Sequence, residues 1–163
     1  MSRRTLSLTL AAVVLLGDRV TKVWIESHLS FSDTIPVIPG VFNIVHTQNR
    51  GMAFGLFSDG ASASRNLLLA AVALVVLLFV AGLIWRLPPQ APRGQRFTPT
   101  ALGLILGGAL GNLYDRLLKG SVTDFLDLHA GSLHWPAFNI ADSAITIGAV
   151  LLALELLRPA HRD

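Results

Sequence analysis

Residues 67–85 run for 19 positions without one charged side chain. As a helix that run is about 28 Å long at 1.5 Å per residue, which matches the hydrocarbon core of a bilayer. A helix that is apolar on every side has no stable place at a water interface, so the rest of the chain has to fold around a membrane span.

Three further stretches can accompany it. Residues 6–25 are apolar through Leu16 and then carry Asp18, Arg19 and Lys22. Residues 98–118 open with Pro99, which a helix start tolerates, and carry Asn112, Asp115 and Arg116 in their last turns. Residues 139–157 carry Asp142 near their start. The pattern predicts an all-α membrane protein, one integral membrane domain over 1–163 with four transmembrane helices. Composition agrees: 52% of the residues are hydrophobic and 14% charged, against roughly 25% charged in a soluble protein. An ordinary soluble enzyme and a disordered chain are both excluded. The 13 Lys and Arg lie scattered between apolar runs, so nucleic acid is not the expected partner. With no cysteine there is no disulfide, thiolate metal site or thiol nucleophile.

Positive charge sets the orientation. Arg3, Arg4, Arg86, Arg93, Arg96, Arg158 and Arg162 fall on one side, and chiefly Arg50, Arg65 and Lys119 on the other. Both termini are therefore expected in the cytoplasm, and the first span reads as a retained signal anchor, since no small-residue cleavage site follows its apolar part. Residues 88–95 read as a plain connector. The outer segment 26–65 is predicted to be a small β-containing extracytoplasmic element between the first two helices, on the strength of the run Val41, Phe42, Asn43, Ile44, Val45, His46. Beyond the turn-like Asn49, Arg50 and Gly51 it becomes rich in Phe, and Phe54 and Phe57 suggest a lid lying on the bilayer surface.

Ionisable groups within spans are costly and mark function by default. Here they share one depth: Asp18 and Lys22, then Asn112, Asp115 and Arg116, then Asn139 and Asp142 all lie toward the outer ends of their spans, with Asp124 just beyond. The inner halves carry almost nothing except Glu155. Each group also has a plain structural reading. Asp18 and Lys22 could be an i,i+4 pair reaching for the interface, Asn139 and Asp142 an N-cap and an acid near a helix start, and Gly103, Gly107, Gly108 and Gly111 a helix-packing stripe. The five histidines show no metal-ligand spacing and mostly read as loop residues.

Taken together, the carboxylates suggest paired acid chemistry. Two carboxylates at close range share a proton, which leaves one acid and one base to direct water at a carbonyl. Asp115, Asp124, Asp127 and Asp142 are the candidates, and spacing alone does not choose among them. The surroundings of Asp124, with Val122, Thr123 and Phe125, favour it together with Asp142.

The same residues carry a family resemblance over nearly the whole chain. Asp18, Arg19, Val20, Thr21 and Lys22 resemble the Asp-x-x-Thr-Lys of the lipoprotein signal peptidases, or signal peptidase II, of bacterial inner membranes. Asn49 to Phe54 resemble the Asn-x-Gly-x-Ala-Phe of that family, and Gly107 to Arg116, Val122 to Phe125, and Phe138 to Asp142 follow in order. The resemblance implies an aspartic endopeptidase with Asp124 and Asp142 as catalytic dyad. Asn49, Gly51, Asn112, Arg116 and Asn139 would bind or orient, Asp18 and Lys22 would shape the site, and Asp115 would support it. Arg19 occupies a variable position. The implied substrate is a prolipoprotein whose cysteine bears diacylglycerol, cut just before that cysteine at the outer face. No metal or cofactor is implied, membrane lipid is the surrounding partner, and a monomer is expected. The rivals are a small proton- or ion-coupled transporter and a non-catalytic scaffold; a transporter should carry its polar groups at the midplane, which is apolar here.

Overall fold

The computed structural model describes residues 1–51, 63–89 and 96–157. Phe54 and Phe57, most of the connector 88–95, and the tail with Arg158 and Arg162 lie outside the described residues. Four helices occupy the four apolar stretches: α1 (Arg3–His28), α2 (Ala63–Trp85), α3 (Thr98–Lys119) and α4 (Ile140–Leu156). Four strands form one antiparallel sheet in sequence order, β1 (Thr34–Ile38), β2 (Phe42–Asn49), β3 (Val122–Ala130) and β4 (Leu133–His134).

Half of that sheet was not expected. The sequence suggested β structure only between the first two helices, yet β3 and β4 come from the segment joining α3 to α4. Gly120 caps α3 at φ 71°, in the left-handed region open to glycine, and its N–H returns to Arg116 O. The chain then turns into Val122, Thr123, Asp124 and Phe125, β-branched and aromatic types that suit a strand. In register, Asn49 faces Val122 and Thr47 faces Asp124, with an irregularity between Ile44 and Thr47. Asp127 lies further along the same strand, β3.

Helix α3 is the centre of the bundle, packed by α1, α2 and α4. Its glycines let backbones meet. A Cβ on Gly103 would stand 2.6 Å from Ser7 O of α1, one on Gly107 2.6 Å from Ala11 O, and one on Gly108 would strike Ala141 O of α4. From the α4 side, a Cβ on Gly148 would come within 2.8 Å of Ala101 O. These are contacts of the small-residue kind that hold helices together where lipid removes the hydrophobic drive. Ser7, fully buried, donates to Pro99 O at 2.7 Å.

At the opposite end from the sheet, Glu155 of α4 accepts the Phe97 N–H at 2.9 Å and a hydrogen bond from the Thr98 hydroxyl. Phe97 offers no capping side chain, so a neighbouring helix caps α3 in its place. This accounts for the one acid that the sequence puts in the inner half.

Among the described residues, Asn66–Trp85 is the one helix whose length and composition alone suffice to cross a bilayer, with mean hydropathy 3.2. Its Leu67, Val75, Leu78 and Phe79 lie outward and exposed, an apolar face of the kind that meets lipid or a partner.

Candidate active site

The polar residues that the sequence placed at one depth converge where the bundle meets the sheet. Asp18, Lys22, Asp115 and Asn139 are fully buried, and Asp124 and Asn112 retain 2% and 7% of their exposure. The i,i+4 pair of α1 does not reach for the interface as one reading of the sequence allowed: Lys22 Nζ lies 2.8 Å from Asp18 Oδ2 with neither side chain accessible.

Asn139 is the hinge of the arrangement. Its Oδ1 accepts the Asp142 N–H at 2.9 Å and so caps α4. The amide nitrogen, necessarily the other end, donates to Asp124 Oδ1 at 2.7 Å. The N-cap expected from the sequence is present, and the same side chain also bonds Asp124. Backbone bonds set the approach, since Phe125 N and Leu126 N both donate to Phe138 O, at 3.0 and 2.8 Å, and Phe138 N donates to Leu126 O at 3.0 Å. The residues that follow Asp124 are therefore tied to the one that precedes Asn139.

Asn112 provides the second bridge. Its Nδ2 donates to Asp142 Oδ1 at 2.7 Å. Its Oδ1 accepts from Lys22 Nζ at 3.1 Å and from Asn139 Nδ2 at 3.3 Å. Asn49, at the end of β2, is close enough to Asp124 to favour its charged form, while its Oδ1 takes the Gly51 N–H at 3.0 Å in a tight side-chain turn. Gly51 therefore enters the site by orienting Asn49. Arg116, half-buried on α3, acts electrostatically on Asp142, Asp124 and Asp115.

Burial pushes the Asp124 carboxyl up to about 7, and the charge of Asp142 pushes the same way; hydrogen bonds from Asn49 and Asn139 and the charge of Lys22 oppose them. Asp127 is held elsewhere. Burial acts to raise it, but the His134 and Asn43 side chains outweigh that and leave it below the usual carboxylate range. His134 Nδ1 stands 2.9 Å from Asp127 Oδ1, and Asn43 donates to Oδ2 at 2.9 Å.

Asp115 belongs to a separate charge cluster. Its Oδ2 is 2.9 Å from Lys22 Nζ, Lys119 Nζ is 3.4 Å from its Oδ1, and Arg19 also ion-pairs with Oδ1. Arg19 lies over the Tyr114 ring at 4.5 Å. Sequence reasoning passed over Arg19 as variable, although its i,i+3 spacing from Lys22 puts both on one helix face. The histidines also differ from their reading as loop residues. His46 is buried on β2 with Nδ1 2.7 Å from Leu29 O, and His129 and His134 stack across β3 and β4. Among the described residues no three His, Asp or Glu gather as metal ligands.

Buried carboxylates bridged by amides, at one end of an otherwise apolar helical bundle, are the layout of a membrane-bound enzyme. The chain is similar to a solved bacterial membrane enzyme with a TM-score of 0.81 at 30% identity, covering 96% of this chain and 93% of the other. The signal peptidase II family model matches residues 10–158. The lipoprotein signal peptidase of Solibacter usitatus is 47% identical over 93% of this chain and 90% of its own length. That of Nitratidesulfovibrio vulgaris is 45% identical over 93% and 88%. The chain belongs to the signal peptidase II family, and its function is that of a lipoprotein signal peptidase. These relatives lend the transporter reading no support.

Proposed function

We propose that Asp124 and Asp142 form the dyad of an intramembrane aspartic endopeptidase that removes the signal peptide from diacylglyceryl-modified prolipoproteins, cutting before the lipidated cysteine. The observation that carries this is the Asn139 amide, which caps the helix bearing Asp142 while holding Asp124 at 2.7 Å. Asp127, engaged with His134 and Asn43, and Asp115, held among three cations, are less suited to a shared proton.

In this reading Asp124 holds the proton, because burial and the Asp142 charge both favour its neutral form. Asp142 takes a proton from water as the water oxygen bonds to the scissile carbonyl carbon, and Asp124 gives its proton to the carbonyl oxygen. The resulting gem-diol then collapses. One of its hydroxyl protons returns to Asp124, the proton on Asp142 passes to the amide nitrogen, and the C–N bond breaks to give an acid and an amine. Arg116 adds positive charge beside the carboxylates. Asn49, Asn112 and Asn139 hold the pair.

The same reading takes all four helices as spans of one integral domain in the bacterial inner membrane, acting as a monomer, with cytoplasmic termini and the dyad at the outer, periplasmic face. Trp24 and Tyr114, exposed near the site, and Trp85, exposed at the other end of the bundle, support two interfacial levels. A cysteine anchored by diacylglycerol brings its peptide bond to that depth, with the acyl chains in surrounding lipid.

The test is cleavage of a diacylglyceryl-modified prolipoprotein by the purified protein in detergent. Asp124→Asn and Asp142→Asn should both abolish cleavage while remaining folded, and Asp115→Asn should keep partial activity. An active Asp124→Asn beside an inactive Asp115→Asn would move the dyad.

A further inference from the structure

Lys22 has no route to substrate: it is fully buried, and an ammonium in such a place needs a reason. It is ion-paired with Asp18 Oδ2 and Asp115 Oδ2, at 2.8 and 2.9 Å, and also donates a hydrogen bond to Asn112 Oδ1 at 3.1 Å. Asp18 and Asp115 carry two negative charges against that single ammonium. Arg19 and Lys119 supply two further cations at Asp115 Oδ1, and Ala141 N donates to Asp18 Oδ1 at 3.0 Å. The two acids are thus neutralised without drawing Lys22 away from Asn112.

An ammonium only donates, so the atom of Asn112 that faces it must be the carbonyl oxygen. The amide nitrogen is then fixed on Asp142 Oδ1. Asn139 repeats the logic: the backbone N–H of Asp142 claims its oxygen and leaves its nitrogen for Asp124 Oδ1. Both carboxylates of the dyad meet an amide donor through Oδ1, and the Asn112 oxygen accepts from the Asn139 nitrogen, joining the two amides.

We propose that Lys22 is a positioning residue for hydrolysis: it polarises the Asn112–Asn139 amide pair so that both Oδ1 atoms of the dyad are held by N–H groups, leaving the Oδ2 atoms to water and the scissile carbonyl. This rests on the dyad reading above. Without Lys22 the Asn112 oxygen keeps only the longer 3.3 Å bond from Asn139, and a reversed amide would turn that oxygen toward Asp142.

The single change Lys22→Met strands the buried Asp18, so the informative variant is Asp18→Asn/Lys22→Met, which removes that anion with the cation and leaves Asp115 paired with Arg19 and Lys119. Asp18→Asn alone keeps the relay and is the reference. Cleavage of diacylglyceryl-modified prolipoprotein is followed with thermal unfolding of each variant in detergent. Relative to Asp18→Asn, the double variant should lose on the order of 10²-fold in kcat, with KM within about threefold, because the substrate surface is untouched. Asn112→Leu in the wild-type background removes the relay at its next link, leaves Lys22 in place and should show the same split. A double variant that turns over as fast as Asp18→Asn, or loses activity only through KM, would overturn the proposal. Should Asp124→Asn or Asp142→Asn prove active in the same assay, the dyad reading would fail first.

Discussion

Asn139 donates a 2.7 Å hydrogen bond to Asp124 with the same amide group whose oxygen caps the helix of Asp142. One side chain therefore does two jobs that substitution can separate. Asn139→Ala removes the cap and the donor together, and should cost about 1–2 kcal/mol of stability and on the order of 10²-fold in kcat. Asn139→Ser keeps a good cap but is too short to hold Asp124, so its unfolding midpoint should stay near wild type while cleavage falls as in the Ala variant. An active Ser variant would show that the bond to Asp124 does not matter.

The raised Asp124 predicts the direction of pH effects. A carboxyl of ordinary value 3.8 that moves to about 7 binds protons more tightly folded than unfolded. Stability is then lost as pH rises from the unfolded value through about 7, by about 4 kcal/mol at full development. Asp124→Asn should consequently be more stable than wild type at pH 8 and no more stable at pH 3. Cleavage should decline as pH rises through the same region, with apparent values that belong to the pair.

Removal of the Asp142 charge separates the two causes. In Asp142→Asn, carboxyl-carbon NMR of Asp124 should show a lower pKa than in wild type, yet one still above the ordinary range, because burial, the larger cause, remains. An unchanged value would mean that the two carboxylates do not feel each other.

The glycine seam predicts which small changes are harmful. Gly108→Ala drives a methyl into Ala141 O, next to Asp142, and should cost about 1–3 kcal/mol as well as activity. Nothing lies within 4 Å of a Cβ on Gly82, so Gly82→Ala should be neutral or gain up to about 1 kcal/mol of helix propensity. Paired thermal melts and cleavage assays check both.

Glu155→Ala tests the capping of α3 from α4. It leaves the Phe97 N–H and the Thr98 hydroxyl without their acceptor, at a cost of about 1–3 kcal/mol. The Asp124–Asp142 end of the bundle is untouched, so kcat measured well below the unfolding midpoint should be preserved.

Much of this was legible before the fold. The uncharged run 67–85 and the other three apolar stretches mark the helices, because a helix announces itself locally by its apolar pattern. Gly103, Gly107 and Gly108 read as packing and do pack. Strand β3 was not legible, since Val122 to Phe125 is a short run directly after a helix and becomes a strand only by pairing with β2, far back in the chain. The same distance hid one partner of Asp127, Asn43 on β2, whereas its other partner, His134, lies nearby across the β3–β4 turn. Arg19 was missed because its role depends on Asp115, which another helix supplies.

The pairing of Asn49 with Val122 carries a consequence for biosynthesis. All of α2 and α3 lie between those residues, and Asp142 stands on the last of the described helices. As the chain emerges from the ribosome, no partial product owns both acids, and Asp124 has no fixed address until β2 and the start of α4 have reached it. On the dyad reading, a nascent peptidase of this design is inactive until α4 has packed against the bundle.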